Sequence, residues 1–475
     1  MAATVPLANY AGRVEYSSNV CVASTVQDVI ACVVDALSLG KKLFPAGSNH
    51  SWNGALYDPS AISLQFAEGS PLRDSAALSV SIHGDDDAHV RSPAGVRVVD
   101  LLRRFEGSGW YAAPWLMGTF AGSTAHTIGG AVATNMHGSG TESLCHVLRS
   151  VDVVTSWPVV ATPDGDTCDG TTTRTVGGAT VVGCRRLYVY NEPPMLTAVA
   201  GTVGGGVVTA VQTHLRKHPG YRLTSYGIPS IRICAVYRCD FAFQLMAFAH
   251  EYKQWAPGEV VMVAASVRLS GVLVSWTRRW DRVRWDDSVA RDAAVPSAWR
   301  TPKETLRYIF PRTQALYDPE TWNAEDVAST NQMLSELYVP VRRVEAFGTW
   351  LDERMRDGEY NALFRYTLRY VHSCRTCRRA ACFGTDLVAI AFHEPGFRFP
   401  AVEFYKQAAA LHAAARARFN VRANPGLVSA SDTENLGDVH TFDKSSPTTR
   451  IPNFKTVTTF GNVFSVALTQ LGVAM

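Results

Sequence analysis

TIGGAVATNMHGSGTE (residues 127–142) is built almost wholly from small residues, with four glycines and one histidine in sixteen positions. Glycine and other small residues let main-chain N–H groups approach an anion closely, and successive amides in a turn make a concave, positive nest. Two further passages make the same backbone demand: PAGSNHS (45–51) upstream and GTVGGGVVTAV (201–211) downstream. A diphosphate is the natural occupant of such nests. Each passage alone also reads as a set of tight turns. The third fits a loose G-x-x-G-x-G, but it lies far too late in the chain for the first turn of a Rossmann unit, and no G-x-x-x-x-G-K-S/T signature of a phosphate-binding loop occurs.

The rest of the chain frames these passages. At 475 residues, 47% apolar and 18% charged, it is expected to bury two cores of roughly 150–250 residues each. Ser24-Thr25-Val26-Gln27 has capping-box spacing, and Val26, Val29, Ile30, Val33, Val34 and Leu37 follow at helical intervals until Gly40. KKLF then reads as a strand entering the PAGSNHS turn. ALSVSIHG and SVDVVTS read as strands, VVDLLRRF as a short helix, and 159–190 as hairpins. Near Pro219 the composition changes to strands such as VVMVAASVRLS alternating with helices such as PVRRVEAFGTWLDERM, where Val341, Val344, Phe347 and Leu351 mark a buried stripe. This is read as a second, mixed α+β domain.

Several functions are disfavoured. A net charge of +3 is too mild for a nucleic-acid partner, and WTRRWDRVRW (276–285) reads as a half-buried alternating strand. No apolar run suits a membrane span, and MAATVPLANYAG lacks the charged start and long apolar core of a signal peptide. The expectation is a soluble protein of the cytoplasm or another intracellular compartment, in which the Asn49-His50-Ser51 sequon is inert. The ten cysteines are scattered apart from Cys374, Cys377 and Cys382 near His372, a cluster read as reduced, packed thiols; no metal site is assigned.

In this order and at this spacing, the three passages resemble those of the vanillyl-alcohol-oxidase type of flavoprotein, and within it the aldonolactone oxidase and alditol oxidase group. NYAGRVEYS (9–17) looks like that group's N-W-A/S-G opening and PAGSNHSWN its G-x-G-H-S loop. TIGGAVATNMHGSG is close to its T-I-x-G-x-x-A-T-x-T/S-H-G-S/T-G, and SELYVP (335–340) and IPNF (451–454) to its E-Y-x-V-P and Y-P-x-F segments. The resemblance implies an α+β, two-domain PCMH-type FAD-binding fold. Its FAD-binding domain would cover 1–217, an inserted α+β substrate (cap) domain 218–415, and a C-terminal segment returning to the FAD domain 416–475.

Carried over position by position, the resemblance implies that Pro45, Ala46, Gly47, Ser48, Asn49, His50 and Ser51 wrap the diphosphate and flavin. Thr127, Asn135, Ser139, Gly140, Thr141 and Glu142 would line the FAD, Val207 and Val208 would hold its adenine end, and His137 would be structural. His50 stands where relatives attach the flavin covalently. Asn49 replaces the preceding glycine, and asparagine tolerates positive φ better than most residues, so the loop is expected to persist.

The resemblance also implies a reaction: oxidation of a hydroxyl on a sugar lactone or polyol, with hydride passing to flavin N5 and oxygen reoxidising the flavin to hydrogen peroxide. Its catalytic machinery is altered here. The E-x-R pair appears as Thr367-Leu368-Arg369, leaving Arg369 to grip substrate and His393 or His440 to take the proton. The late H-W-G/A-K segment falls on RFNVRANPGLVSA (418–430), with Asn424 and Leu427 at its histidine and lysine. Arg422 and Lys444 remain as alternative sources of positive charge near flavin N1. The alternatives are a diverged flavin-binding protein with weak or altered activity, and a dehydrogenase using another electron acceptor.

Overall fold

The computed structural model describes residues 4–8, 15–41, 43–49, 61–85, 87–105, 108–111, 126–134, 146–160, 166–168, 170–188, 206–217, 227–237, 260–269, 272–281, 304–315, 333–363, 365–371, 385–394 and 401–423. Among them the strands form three sheets.

The first sheet takes β1 (Thr4–Ala8), β2 (Glu15–Ala23), β3 (Leu43–Pro45) and β4 (Ile62–Phe66) in the order β1-β2-β4-β3, with β2 and β3 both parallel to β4. Helix α1 (Val26–Ser38) makes the crossover from β2 to β3. Its N-cap lies one residue later than the sequence spacing indicates. Thr25 Oγ1 accepts from Asp28 N–H at 3.2 Å, while the Asp28 carboxylate accepts from Thr25 N–H at 2.8 Å and Ser24 N–H at 3.0 Å. An ionised carboxylate accepting two backbone amides is a stronger cap partner than the neutral Gln27 amide. These backbone bonds, from Thr25 and then Ser24, hold the Asp28 carboxyl below its ordinary range. Val29 and Ile30 are fully buried, each contributing roughly 1.5–3 kcal/mol of transfer free energy.

The second sheet begins with β5 (Ser79–Ile82) and β6 (Ala88–Pro93), followed by α2 (Val98–Arg104), β7 (Trp110–Tyr111) and α3 (Ile128–Thr134). It continues with β8 (Leu148–Pro158), β9 (Asp166–Thr167), β10 (Arg174–Val176), β11 (Thr180–Tyr188) and β12 (Gly206–Lys217). The order is β10-β11-β8-β12-β6-β5, with β7 added to β12 and β9 to β11. One apolar cluster joins α1 and the first sheet to Val154, Val182, Cys184 and Val207; another packs α2 and α3 against Val151, Val153, Val208 and Val211. The second sheet is therefore apolar on both faces, which explains the nearly continuous valine runs of β8 and β12.

Asp152 brings a buried charge into β8, with a side chain 2% exposed. Arg186, its direct partner on β11, donates from Nε to Oδ1 at 2.9 Å and from Nη2 to Oδ2 at 3.3 Å. Arg91 reaches the same carboxylate from β6, diagonally across β12.

Among the described residues two disulfides form, Cys21–Cys32 and Cys168–Cys184, while Cys374, Cys377 and Cys382 lie outside them. The first ties β2 to α1 where the two pack, and the second forms where β9 pairs with β11 and Cys168 N–H donates to Cys184 C=O at 3.2 Å. Nothing in their sequence spacing announces these meetings.

The third sheet contains β13 (Gly227–Tyr237), β14 (Val260–Leu269), β15 (Val272–Asp281), β16 (Glu304–Ala315), β17 (Met333–Pro340), β18 (Arg365–Val371), β19 (Leu387–Glu394) and β20 (Arg422–Ala423). Its order is β16-β13-β15-β14-β18-β19-β17-β20 and all its pairings are antiparallel. Helices α4 (Val344–Arg356) and α5 (Ala401–Phe419) complete it. Val344, Phe347 and Leu351 are buried as their spacing predicts, whereas Val341 stands in a preceding 3-10 turn and is only half-buried. No helix among the described residues is long and apolar enough to cross a membrane.

Candidate functional site

The turn after β3 is held to the first sheet by Ala46 N–H, which donates to Leu64 C=O at 2.8 Å. Gly47 then passes so close to α3 that a Cβ added to it would lie 2.3 Å from Thr127 Oγ1, far inside contact distance. Thr127 is buried, and its hydroxyl accepts from Gly130 N–H at 3.3 Å inside the first turn of α3. Two passages far apart in sequence thus meet backbone to side chain, and only glycine fits at 47.

Asn49 has φ 53°, in the left-handed region that the resemblance assigns to a glycine. Among non-glycine residues asparagine enters that region most readily, so the turn keeps its path. Pro45, Ala46, Ser48 and Asn49 are half-buried and Gly47 is exposed.

Helix α3 is in turn fixed to the loop between β6 and α2. Ile128 N–H donates to Val96 C=O at 2.9 Å and Gly129 N–H to Ala94 C=O at 2.8 Å, and a Cβ at Gly129 would fall 2.8 Å from that of Ala94. The glycines of T-I-G-G therefore serve close packing of the helix as well as any ligand. Val207 and Val208 are buried on opposite faces of β12, one in each apolar cluster. Their side chains belong to the core, so a contact with a cofactor there falls to the strand's backbone. His50, Ser51, Asn135, His137, Ser139, Gly140, Thr141, Glu142, His440 and Lys444 lie outside the described residues.

In the third sheet, directly paired residues share a face. Arg369 pairs with Ala389, Ala389 with Tyr338 and Tyr338 with Arg422, so four strands contribute to one row. The next row on that face joins Thr367, Ala391 and Glu336, and the one after it Arg365, His393 and Leu334. The backbone therefore sets Thr367, Arg369, His393 and Arg422 in phase, although β18 and β20 are separated by two strands.

Glu336 is the residue that the sequence reading missed. It served only as part of a family-like string, yet it is a fully buried carboxylic acid in the row of Thr367, two strands or about 10 Å away. The available signal was a charge in the middle of an otherwise apolar strand.

The opposite face is structural. Ser335 Oγ lies 3.1 Å from Nε2 of His412 on α5, and burial lowers the His412 imidazole to about 4, which keeps it neutral near pH 7. At the end of β18, Tyr370 Oη donates to Asp386 Oδ2 at 2.5 Å; burial first, then that bond, push the phenol far above its ordinary range. Asp386 therefore anchors the start of β19.

Residues 17–159 match the model of a family described as the FAD binding domain. Over most of its length the chain is similar in fold to solved cholesterol oxidases. A solvent-stable cholesterol oxidase superposes with a TM-score of 0.55 at 15% identity, covering 89% of this chain and 86% of that one. A cholesterol oxidase from B. sterolicum gives 0.54 at 12%, with the same coverages. No curated protein matches the sequence. The chain accordingly has the PCMH-type FAD-binding fold, and FAD is its cofactor. The described residues fit the group: Gly47 admits no side chain beside Thr127 and Asn49 follows in the left-handed region, so the backbone of the turn runs against the start of α3 with no side chain between them, the close main-chain approach that an anion-binding turn requires.

Proposed function

We propose that this protein is an FAD-dependent oxidoreductase acting on a CH–OH group of a sugar lactone or polyol, with oxygen as its electron acceptor. The observation that carries the proposal is the meeting of the 45–49 turn with Thr127, which unites two of the three glycine-rich passages in the FAD-binding part of the chain. In this reading 1–217 is the FAD-binding domain, 218–415 the substrate domain and 416–475 a returning tail.

FAD, when bound, supplies the electron-accepting ring. The protein supplies position and charge. Residues 45–51, Thr127, Asn135, Ser139, Gly140, Thr141, Glu142 and the backbone at Val207 and Val208 hold the cofactor. Arg369 grips the substrate hydroxyls through its planar fork of donors. A hydroxyl proton is taken by an imidazole nitrogen of His393, and Arg422 or Lys444 supplies positive charge. Thr367 offers a hydrogen bond but no base. Loss of a general base typically costs about 10²- to 10⁴-fold in rate, the penalty that His393 offsets in place of the family's glutamate. The two disulfides favour an oxidising compartment over the reducing cytosol.

The test is anaerobic bleaching of the flavin together with aerobic peroxide release, using gulono-, galactono- and arabinono-lactones, xylitol and cholesterol. Bleaching and peroxide with a lactone or polyol are expected. Bleaching without peroxide would point to a dehydrogenase, turnover of cholesterol alone would overturn the substrate class, and silence on all would favour a diverged flavin-binding protein.

A separate expectation concerns His50. With Asn49 holding the left-handed turn, the His50 imidazole is expected to carry the flavin covalently, so acid-precipitated protein should stay yellow. His50→Ala should release the colour to the supernatant. Release from the unaltered protein as well would leave only noncovalent FAD.

A further inference from the structure

A second cluster stands apart from the residues assigned to flavin or substrate. His214 on β12 and His89 on β6 are direct cross-strand partners, with ring centroids 4.6 Å apart. Asp87, in the turn between β5 and β6, places Oδ1 3.0 Å from His89 Nε2 and 3.8 Å from His214 Nδ1. His83, at the other end of that turn, stacks 5.0 Å from the His89 ring, and Arg149 on β8 brings Nη1 to 2.6 Å from His89 Nε2.

Hydrogen bonding does not reconcile these neighbours. His89 Nε2 donates to Asp87 if it carries a proton and accepts from Arg149 if it does not, and one nitrogen cannot do both. Two nitrogens and a carboxylate oxygen converge. Ligands bound tetrahedrally at 2.0–2.1 Å lie about 3.3–3.4 Å from one another, which the observed 3.0 and 3.8 Å separations bracket.

We propose that Asp87, His89 and His214 form a binding site for a borderline divalent transition metal of the Zn²⁺ class, with a fourth position open to water. Asp87 and His214 are 53% and 40% exposed, which gives the ion a route in, whereas His89 at 3% fixes the floor of the site. Arg149 is the internal competitor, its guanidinium standing where the positive charge of the metal would otherwise sit. Binding would tie the β5–β6 turn to β12.

The experiment uses flavin-loaded, untagged full-length protein, stripped with a chelator and titrated with Zn²⁺ against a chromophoric competitor. One equivalent is expected to bind. Asp87→Asn and His214→Gln should each weaken it at least about tenfold, the lower bound even for outer-shell losses. Arg149→Gln should tighten it about tenfold, a change of about 1.4 kcal/mol. Asp87→Asn is the safe variant for folding, since the backbone carbonyl of Asp87, not its side chain, closes the turn by accepting from His83 N–H at 2.8 Å. Absence of a stoichiometric site, or unchanged affinity in both Asp87→Asn and His214→Gln at full flavin content, would overturn the proposal.

Discussion

Replacing Asp152 with asparagine is expected to cost about 3–5 kcal/mol of folding stability, the usual result of removing one partner from a buried ion pair. The carboxylate is 2% exposed and is shared by Arg186 and Arg91, which are 19% and 32% exposed. Without it, two guanidinium groups in the middle of the second sheet lose the charge that offset their desolvation. A denaturant midpoint shift at unchanged slope measures the effect. A shift under 1 kcal/mol would mean that water reaches the arginines and the cluster is effectively a surface pair.

The same site predicts an acid limit. Burial alone would raise the Asp152 carboxyl, but hydrogen bonds and charge from Arg91 and Arg186 outweigh it and hold the group below its ordinary 3.8. A group whose folded value is depressed contributes stability above its unfolded value and loses that contribution as pH falls through the folded one. The Asp152→Asn penalty should therefore be full at neutral pH and shrink below about pH 3.8.

The second large effect belongs to Gly47. In Gly47→Val the new Cβ would stand 2.3 Å from Thr127 Oγ1, so either the turn or α3 must move. Thr127 has little freedom: its hydroxyl is bonded to Gly130 N–H, its Cγ2 would lie 3.4 Å from the same Cβ, and the residue is buried. Overpacking of this kind costs about 1–3 kcal/mol, and if the FAD-bound geometry bears it, affinity falls by roughly 5- to 150-fold. The variant should purify largely without flavin, read as the ratio of absorbance at the flavin band to that of the protein. Thr127→Ala should restore part of it to the double variant by removing the hydroxyl that the new Cβ meets. Full flavin content in Gly47→Val would show that the turn is not part of the cofactor site.

Much of this protein was legible in the chain itself. The period of Val29, Ile30 and Val33 specified α1, SVDVVTS specified a strand, and the order of three glycine-rich passages specified the resemblance to a flavin fold. Even Asn49 announced its positive φ, because a left-handed turn is a local demand on one residue. The face proposed for catalysis was legible only in part. Thr367 and Arg369 are two residues apart and must share a face, but alignment of Arg422 and Glu336 with them required the β18-β19-β17-β20 order.

What the sequence by itself determined is local: backbone conformation, periodicity and the placement of residues that only one conformation tolerates. What the tertiary structure decided is every meeting between distant residues: Gly47 against Thr127, Asp152 between Arg91 and Arg186, the two disulfides, and Asp87 with His89 and His214. The reason is physical. A dihedral preference acts within a few residues, whereas strand order and register are set by burial of whole faces, and only then do side chains tens of residues apart come within bonding distance.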